Sequence, residues 1–260
     1  MYLNVFFTPA EIAPVADEMS ARDVFIVIDV IRATTTIATV LGRGARRVLV
    51  APDIAEARAA AEKVPDSLLC GERNVRPVAG FDYGNSPSQF ARLDLAGKTL
   101  ILTTTNGTRA FYACPEEATR LAGSLYNAQA VTAYALQVAR EHGGNIHLVC
   151  SGELGYFALD DAVCAGRLVL ELQRQQPALP MLESTGAAVA LYRAYEPPII
   201  LDHCNSARSV IEAGLSADTD FCMQISQSDI VPLVIGKDET TGLLEVVAAA
   251  KLLEQGNKQR

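Results

Sequence analysis

The feature that most constrains this chain is its rhythm, in which short β-rich apolar runs alternate with longer segments of helical pattern. Leu3 to Phe7, Val24 to Val30, Arg47 to Val50 and Leu68 to Cys70 open the series, and Thr99 to Thr103 and Asn145 to Cys150 extend it. Between them, Ile54 to Lys63 is rich in helix formers behind the turn and cap of Pro52-Asp53, and Ala128 to Glu141 is amphipathic. Leu159 to Leu172 carries a helical stripe through Leu159, Val163, Gly166 and Leu170. Glu183 to Tyr195 reads as a helix ending at Pro197-Pro198, and His203 to Ala213 as another, closed by Gly214. Ile230 to Ile235 and Leu243 to Val247 suggest a hairpin before a terminal helix. Such alternation predicts an α/β fold, a layered α/β/α arrangement around a mixed, largely parallel sheet. The 260 residues fit one domain or two closely packed α/β subdomains dividing near 115–145.

Composition narrows the function. With 22 basic against 30 acidic residues and a net charge of −8, the chain has no general electrostatic support for nucleic acid, so any anionic ligand must be met by local groups. The apolar run Val24 to Ile28 is far short of a membrane span, and no basic flank leads into an apolar signal segment, so a cytoplasmic protein is expected. The six cysteines, at 70, 114, 150, 164, 204 and 222, have neither zinc-site spacing nor a disulfide framework, and read as buried small hydrophobes. A homodimer is left open.

Four segments can carry chemistry. In Val27 to Thr36 (VIDVIRATTT), Asp29 ends an apolar strand, the end at which open α/β sheets present ligands. A helix starting near Thr35 would aim backbone N–H groups, the hydroxyls of Thr34, Thr35 and Thr36 and the Arg32 guanidinium at one space, a cradle for phosphate or sulfonate. The plainer alternative is an Asp and a Thr capping a helix, with Arg32 in a solvated ion pair. Thr103 to Thr108 (TTTNGT) repeats the form, with Thr104, Thr105, Asn106 and Gly107 as donors or as an ordinary capped turn. Residues 71–97 interrupt the rhythm with a long loop. Within it, Glu72 and Asp82, joined in space to Asp29, would suit Mg²⁺, which prefers oxygen donors; equally, Asp82, Asn85 and Ser86 can simply make turns. Finally, Ser151 and Gly152 precede Asp160 and Asp161, of which only one can face a given site squarely; both also suit a helix N-terminal dipole.

Several patterns fail. Cys70 and Arg76 have the spacing of a cysteine phosphatase loop, but Pro77 keeps Arg76 out of a helix start. Asp29 has Ile31 two residues on, so the paired aspartates of haloacid-dehalogenase-type phosphatases are missing. Gly42-Arg43-Gly44 runs on to Arg47 where a dinucleotide fingerprint needs a small residue, and no Walker sequence occurs. The three histidines are isolated from one another.

Together the strings VIDVIRATTT, GERNVRPVAGFDYGNSP, LTTTNGT and CSGELGYFALDDAVCAG, in order over about residues 27–166, resemble the 2-phosphosulfolactate phosphatase (ComB) family. The resemblance implies a Mg²⁺-dependent hydrolase that removes phosphate from 2-phospho-3-sulfolactate, a step towards coenzyme M. It implies a small phosphorylated, sulfonated acid as partner and neither nucleic acid nor membrane. On this reading Asp29, Arg32 and Asp161 are catalytic, and Asp29, Glu72, Asp82 and Asp161 are the candidate metal ligands. Thr34, Thr35, Thr36, Asn85, Ser86, Thr104, Thr105, Asn106, Gly107, Ser151 and Gly152 are the candidate substrate contacts. Position 160 is Asp where relatives are expected to carry Glu, which favours Asp161 as the ligand. Asp29 can bind the metal or attack phosphorus, since a carboxylate can form an acyl phosphate. No role is carried onto the C-terminal third. A second reading is a non-catalytic sensor of a phosphorylated or sulfonated metabolite, and a third a phosphatase for another phospho-hydroxy acid.

Overall fold

The computed structural model describes residues 1–249, so the expected terminal helix and tail lie outside the described residues. In chain order the elements are β1 (Leu3–Phe6), β2 (Val24–Ile28), α1 (Ala33–Gly42), β3 (Arg47–Val50), α2 (Ile54–Lys63), β4 (Leu68–Arg73), β5 (Arg76–Pro77) and α3 (Pro87–Phe90). They continue with β6 (Thr99–Thr103), α4 (Gly107–Ala113), β7 (Thr119–Gly123), α5 (Ala128–His142), β8 (Ile146–Cys150), α6 (Leu159–Gln175) and α7 (Glu183–Ala194). The last are α8 (Asn205–Glu212), α9 (Ser216–Cys222), β9 (Pro232–Lys237) and β10 (Leu244–Ala248).

The strands join one mixed sheet, mostly parallel, in the order β1-β8-β2-β7-β9-β10-β3-β6-β4-β5. Two parallel blocks are visible in it. β1, β8, β2 and β7 form the first, β3, β6 and β4 the second, and the antiparallel hairpin β9-β10 is wedged between them. The chain begins in the first block, crosses to the second through α1, and returns through α4.

Side-chain alternation explains how the blocks share a core. Val24, Ile26 and Ile28 of β2 face outward onto α5 and α6, while Phe25 and Val27 face inward. On the other block, Val48, Val50, Leu100 and Leu102 face the same inner core, whereas Leu49 and Ile101 pack outward with Ala57 and Ala60 of α2. Ile37 and Val40 of α1 and Phe111 of α4 fill the space between, so the two crossover helices form a layer common to both blocks. Truncating fully buried Phe25 or Phe111 to alanine in such a core costs about 3–5 kcal/mol.

Three differences from the sequence reading have physical causes. β4 runs past Cys70 to Arg73 and turns back as β5, because two residues, Asn74 and Val75, take the left-handed conformation of a tight hairpin. β7 is invisible as an apolar run because Arg120 lies in it, 4% exposed, with its guanidinium donating to the Phe111 and Glu116 carbonyls. α9 is too short to show a period. Among the described residues no helix is long and apolar enough to cross a membrane.

Candidate active site

In sheet order β2 and β6 are five strands apart, about 24 Å across a flat sheet. The segments that follow their C-terminal ends nevertheless meet, where Asp29 after β2 reaches Gly107 after β6. β2 stops at Ile28 where side chains take over its hydrogen bonds: Asp29 N–H donates to Thr34 Oγ1 at 3.2 Å and Val30 N–H to Asp161 Oδ1 at 2.9 Å. The Asp29 carboxylate then accepts from Ala33 N–H, at the start of α1, at 3.1 Å, and from the Gly107 N–H that opens α4. Glycine is required there, since a Cβ on Gly107 would lie 2.5 Å from Asp29 Oδ2 and 2.8 Å from Ala33 Cβ. One carboxylate thus joins both crossings. Burial pushes its pKa up to about 6 and Glu72 adds to the rise, against the two amide bonds and Arg32.

Glu72 is fixed from two sides. Its Oε1 accepts from the N–H and the hydroxyl of Thr105, both at 2.8 Å, and its Oε2 accepts from Val75 N–H at 2.9 Å. The Val75 carbonyl in turn accepts from Arg32 Nη2 at 2.8 Å. Val75 makes both bonds at φ 69°, an uncommon conformation for a β-branched residue, and the hairpin tip ties Glu72 to Arg32. The second guanidinium nitrogen of Arg32 donates to Asp218 at 2.8 Å in an ion pair of two buried side chains.

These residues border a cleft of about 500 Å³. It is lined by Asp29, Arg32, Glu72, Asn85, Thr104, Thr105 and Asn106, by the hairpin tip Asn74 to Arg76, by Ser206, Ser209 and Glu212 of α8, and by Glu153 and Leu154. Asn85 is 3% exposed, and its side-chain oxygen is buried without a hydrogen-bond partner.

Other predicted residues sit elsewhere. Thr34, Thr35 and Thr36 are buried and face no cleft: the Thr34 hydroxyl donates to the Asp29 carbonyl, Thr35 to Val30 and Thr36 to Asn85. Because the Asp29 carboxylate occupies the start of α1, the expected phosphate cradle there is not formed. Asp161 spends both oxygens on backbone, accepting from Val30 N–H and from Gly152 N–H at 3.1 Å, and is correspondingly turned from the cleft. Asp160, disfavoured from sequence, is the neighbour that reaches towards it, accepting from the hydroxyl of the cleft residue Ser206 at 3.2 Å. Burial and the nearby Asp29 raise the Asp160 pKa to about 7.

Asp82 accepts from Leu69 N–H at 2.8 Å and pins the long loop to β4, away from the cleft. Ser86 donates to Asp218 rather than lining the cleft. Ser151 donates its N–H to the Ile28 carbonyl and keeps a buried, unpartnered hydroxyl, while Gly152 supports Asp161. Thr104 lines the cleft with its hydroxyl oxygen accepting from Thr108 N–H, and Asn106 does so with its side-chain oxygen accepting from Leu154 N–H. Cys70 faces the inner core, and burial drives its thiol pKa upward, against a role as nucleophile. The sequence reading missed Asp218, Ser206 and Val75. No spacing links the first two to Asp29, whereas Asn74-Val75 between short polar runs was a faint turn signal.

The donor set bears on a metal. Four carboxylates line the cleft, Asp29, Glu72, Glu153 and Glu212, against Arg32 and Arg76, and Arg32 is already neutralised by Asp218. A phosphate entering alone would meet net negative charge. Among the described residues no three His, Cys, Asp or Glu side chains gather into a metal cage, so the expected convergence of Asp29, Glu72, Asp82 and Asp161 is not formed. Mg²⁺ commonly takes only one or two carboxylates and fills the rest of its shell with water and substrate phosphate. Asp29 and Glu72, each anchored by amides and lining the cleft, fit that smaller role.

Comparison with known proteins shows the family. A family model described as 2-phosphosulpholactate phosphatase matches residues 9–237. A probable 2-phosphosulfolactate phosphatase of Deinococcus radiodurans is 37% identical over 229 residues, 87% of this chain and 94% of that protein. Proteins with the same description from Carboxydothermus hydrogenoformans and Thermus thermophilus are 34% and 35% identical, covering 89% and 91% of this chain and 92% and 96% of their own lengths. The chain belongs to the 2-phosphosulfolactate phosphatase family.

Proposed function

We propose that this family member is a Mg²⁺-dependent phosphoric monoester hydrolase that converts (R)-2-phospho-3-sulfolactate, or a close phosphorylated hydroxy acid, to the free hydroxy acid and phosphate. The observation that carries the reading is the meeting of Asp29 and Glu72, brought from opposite blocks of the sheet, beside the Arg32 guanidinium on one cleft. Phosphoryl transfer asks chiefly for positioning and charge neutralisation, because negative charge spreads over the phosphoryl oxygens in the transition state.

Asp29 and Glu72 would hold the Mg²⁺, which when bound supplies positive charge to the phosphoryl oxygens. Arg32 has N–H groups beyond the two engaged by Asp218 and Val75, and these orient the phosphoryl group. Asn85 lines the cleft, where its side-chain NH₂ can donate to the acid portion of the substrate. Thr105 keeps Glu72 at the cleft, and Gly107 gives Asp29 room to sit there. Water attacks phosphorus in line as the P–O bond to the substrate carbon skeleton breaks; the water oxygen stays on the phosphate, and the proton it gives up is balanced by the one the departing oxygen takes up.

A carboxylate-lined cleft also weighs against the sensor reading, since a pure anion binder gains nothing from acids around its ligand. The test is phosphate release from a panel of phosphorylated C3 acids, 2-phosphosulfolactate and its carboxylate analogues included, with Mg²⁺ and then with EDTA. Release that needs Mg²⁺ and is fastest for 2-phosphosulfolactate is expected. Equal, negligible release from every acid in both conditions would sink the hydrolase in favour of the sensor.

A further inference from the structure

The C-terminal third supplies a buried group that grips the cleft residue Arg32 from behind and that the reaction above does not use. Asp218 of α9 is 1% exposed, yet its carboxylate is fully engaged. One oxygen accepts from Arg32 Nη1 at 2.8 Å; the other accepts from Ser86 Oγ at 2.6 Å, from Ser88 N–H at 3.2 Å and from the Ser88 hydroxyl. Three distant parts of the chain, the first crossing, the start of α3 and α9, meet on this one side chain.

A buried ion pair is a poor device for stability alone, since an apolar filler often does as well or better. It does fix direction. Without Asp218 the long Arg32 side chain would have only the Val75 carbonyl to hold its guanidinium. With both, the planar fork is set from two sides while it still lines the cleft. The pair also cancels the Arg32 charge, which limits how tightly a released phosphate is retained.

We propose that Asp218 is the positioning residue of this active site, aiming the Arg32 guanidinium at the phosphoryl group and tempering its charge so that product phosphate leaves. The proposal rests on reading the cleft as a phosphatase site. Asp218→Asn keeps the size and a hydrogen-bond acceptor but removes the charge. Its kcat falls about 10- to 100-fold, as expected for a misaimed group. Inorganic phosphate, measured by calorimetric titration, binds at least about threefold more tightly, because Arg32 is no longer neutralised. Arg32→Ala shifts phosphate binding the opposite way, to weaker.

A purely structural role would lower the melting temperature and leave kcat per folded molecule and phosphate affinity at wild-type values, and that result overturns the proposal. If Asp218→Asn does not fold, Ser88→Ala decides: it loosens Asp218 without touching its charge, and is expected to lower kcat about threefold with phosphate affinity unchanged. Wild-type kcat in Ser88→Ala would then reject the role. The phosphate titration needs no turnover. Wild-type protein that binds phosphate but hydrolyses nothing would reject the phosphatase reading, while the opposite shifts in Asp218→Asn and Arg32→Ala would still establish the Asp218–Arg32 coupling.

Discussion

Thr34, where the chain leaves the first block of the sheet, and Thr105, where it returns, hold similar places in two similar strings. The Thr34 hydroxyl is turned inward, bridging the N–H and C=O of Asp29, and never meets the cleft. Thr105 stands at the cleft and donates both its N–H and its hydroxyl to Glu72. The difference follows from what lies at each helix start. At the first crossing the chain's own carboxylate, Asp29, fills the anion position, so the hydroxyls around it are left to satisfy backbone. At the second no acid precedes the helix, and its donors reach outward to the carboxylates of the first crossing and of the hairpin. Hydroxyl-rich strand ends therefore become either scaffold or site according to whether an acid is already seated there.

The largest expected effect that sharpens this contrast is electrostatic. With Asp29 raised from 3.8 to about 6, the folded protein binds its proton more tightly than the unfolded chain does. The metal-free fold should then lose stability as pH rises from about 4 to 6, by roughly 3 kcal/mol for this group, and stay lower above that window. Asp29→Asn removes that share of the slope and melts higher than wild type at pH 7 without metal. Mg²⁺ should raise the wild-type melting temperature more at pH 7 than at pH 5. Scanning calorimetry over this range checks both, and an unchanged slope in Asp29→Asn would detach Asp29 from the account.

Next comes the contact between the crossings. Gly107→Ala drives a methyl group against Asp29 and Ala33, and a fall in kcat of about 100-fold is expected in steady-state assays. Gly186→Ala, in α7 with nothing within 4 Å of the added carbon, is the matched control and should keep full activity. The smallest effects separate the two threonines. Thr105→Val removes the hydroxyl bond to Glu72, leaving the two amide bonds, and should lower kcat about tenfold, whereas Thr34→Val strands the buried Asp29 N–H, costing about 1–3 kcal/mol of stability in denaturant titrations with kcat within about twofold of wild type. The reverse pattern would mean that the scaffold and site roles are exchanged.

Much of this was legible in the sequence, and the limits were physical. The α/β class followed from alternating apolar runs, and Asp29, Arg32, Glu72, Asn85, Thr105 and Asn106 lay in strings that pointed to one site. What sequence could not show is which way each hydroxyl and acid turns. Asp160 and Asp161 are neighbours about 100° apart on a helix, and only the packing of Gly152 and Val30 decides that Asp161 is consumed by backbone. The two-block sheet was hidden because the hairpin placed between the blocks comes from the far end of the chain. Asp218 was hidden for the same reason, since it lies 186 residues from the arginine it holds.

The most direct test is a double-mutant cycle on kcat for phosphate release from 2-phospho-3-sulfolactate at saturating Mg²⁺, using Asp29→Asn, Glu72→Gln and the two combined. If the crossings build one site, each single change costs about 10³-fold and the combination costs little more than the worse single. Losses that multiply, or a single variant at the wild-type rate, would contradict a shared role for the two carboxylates.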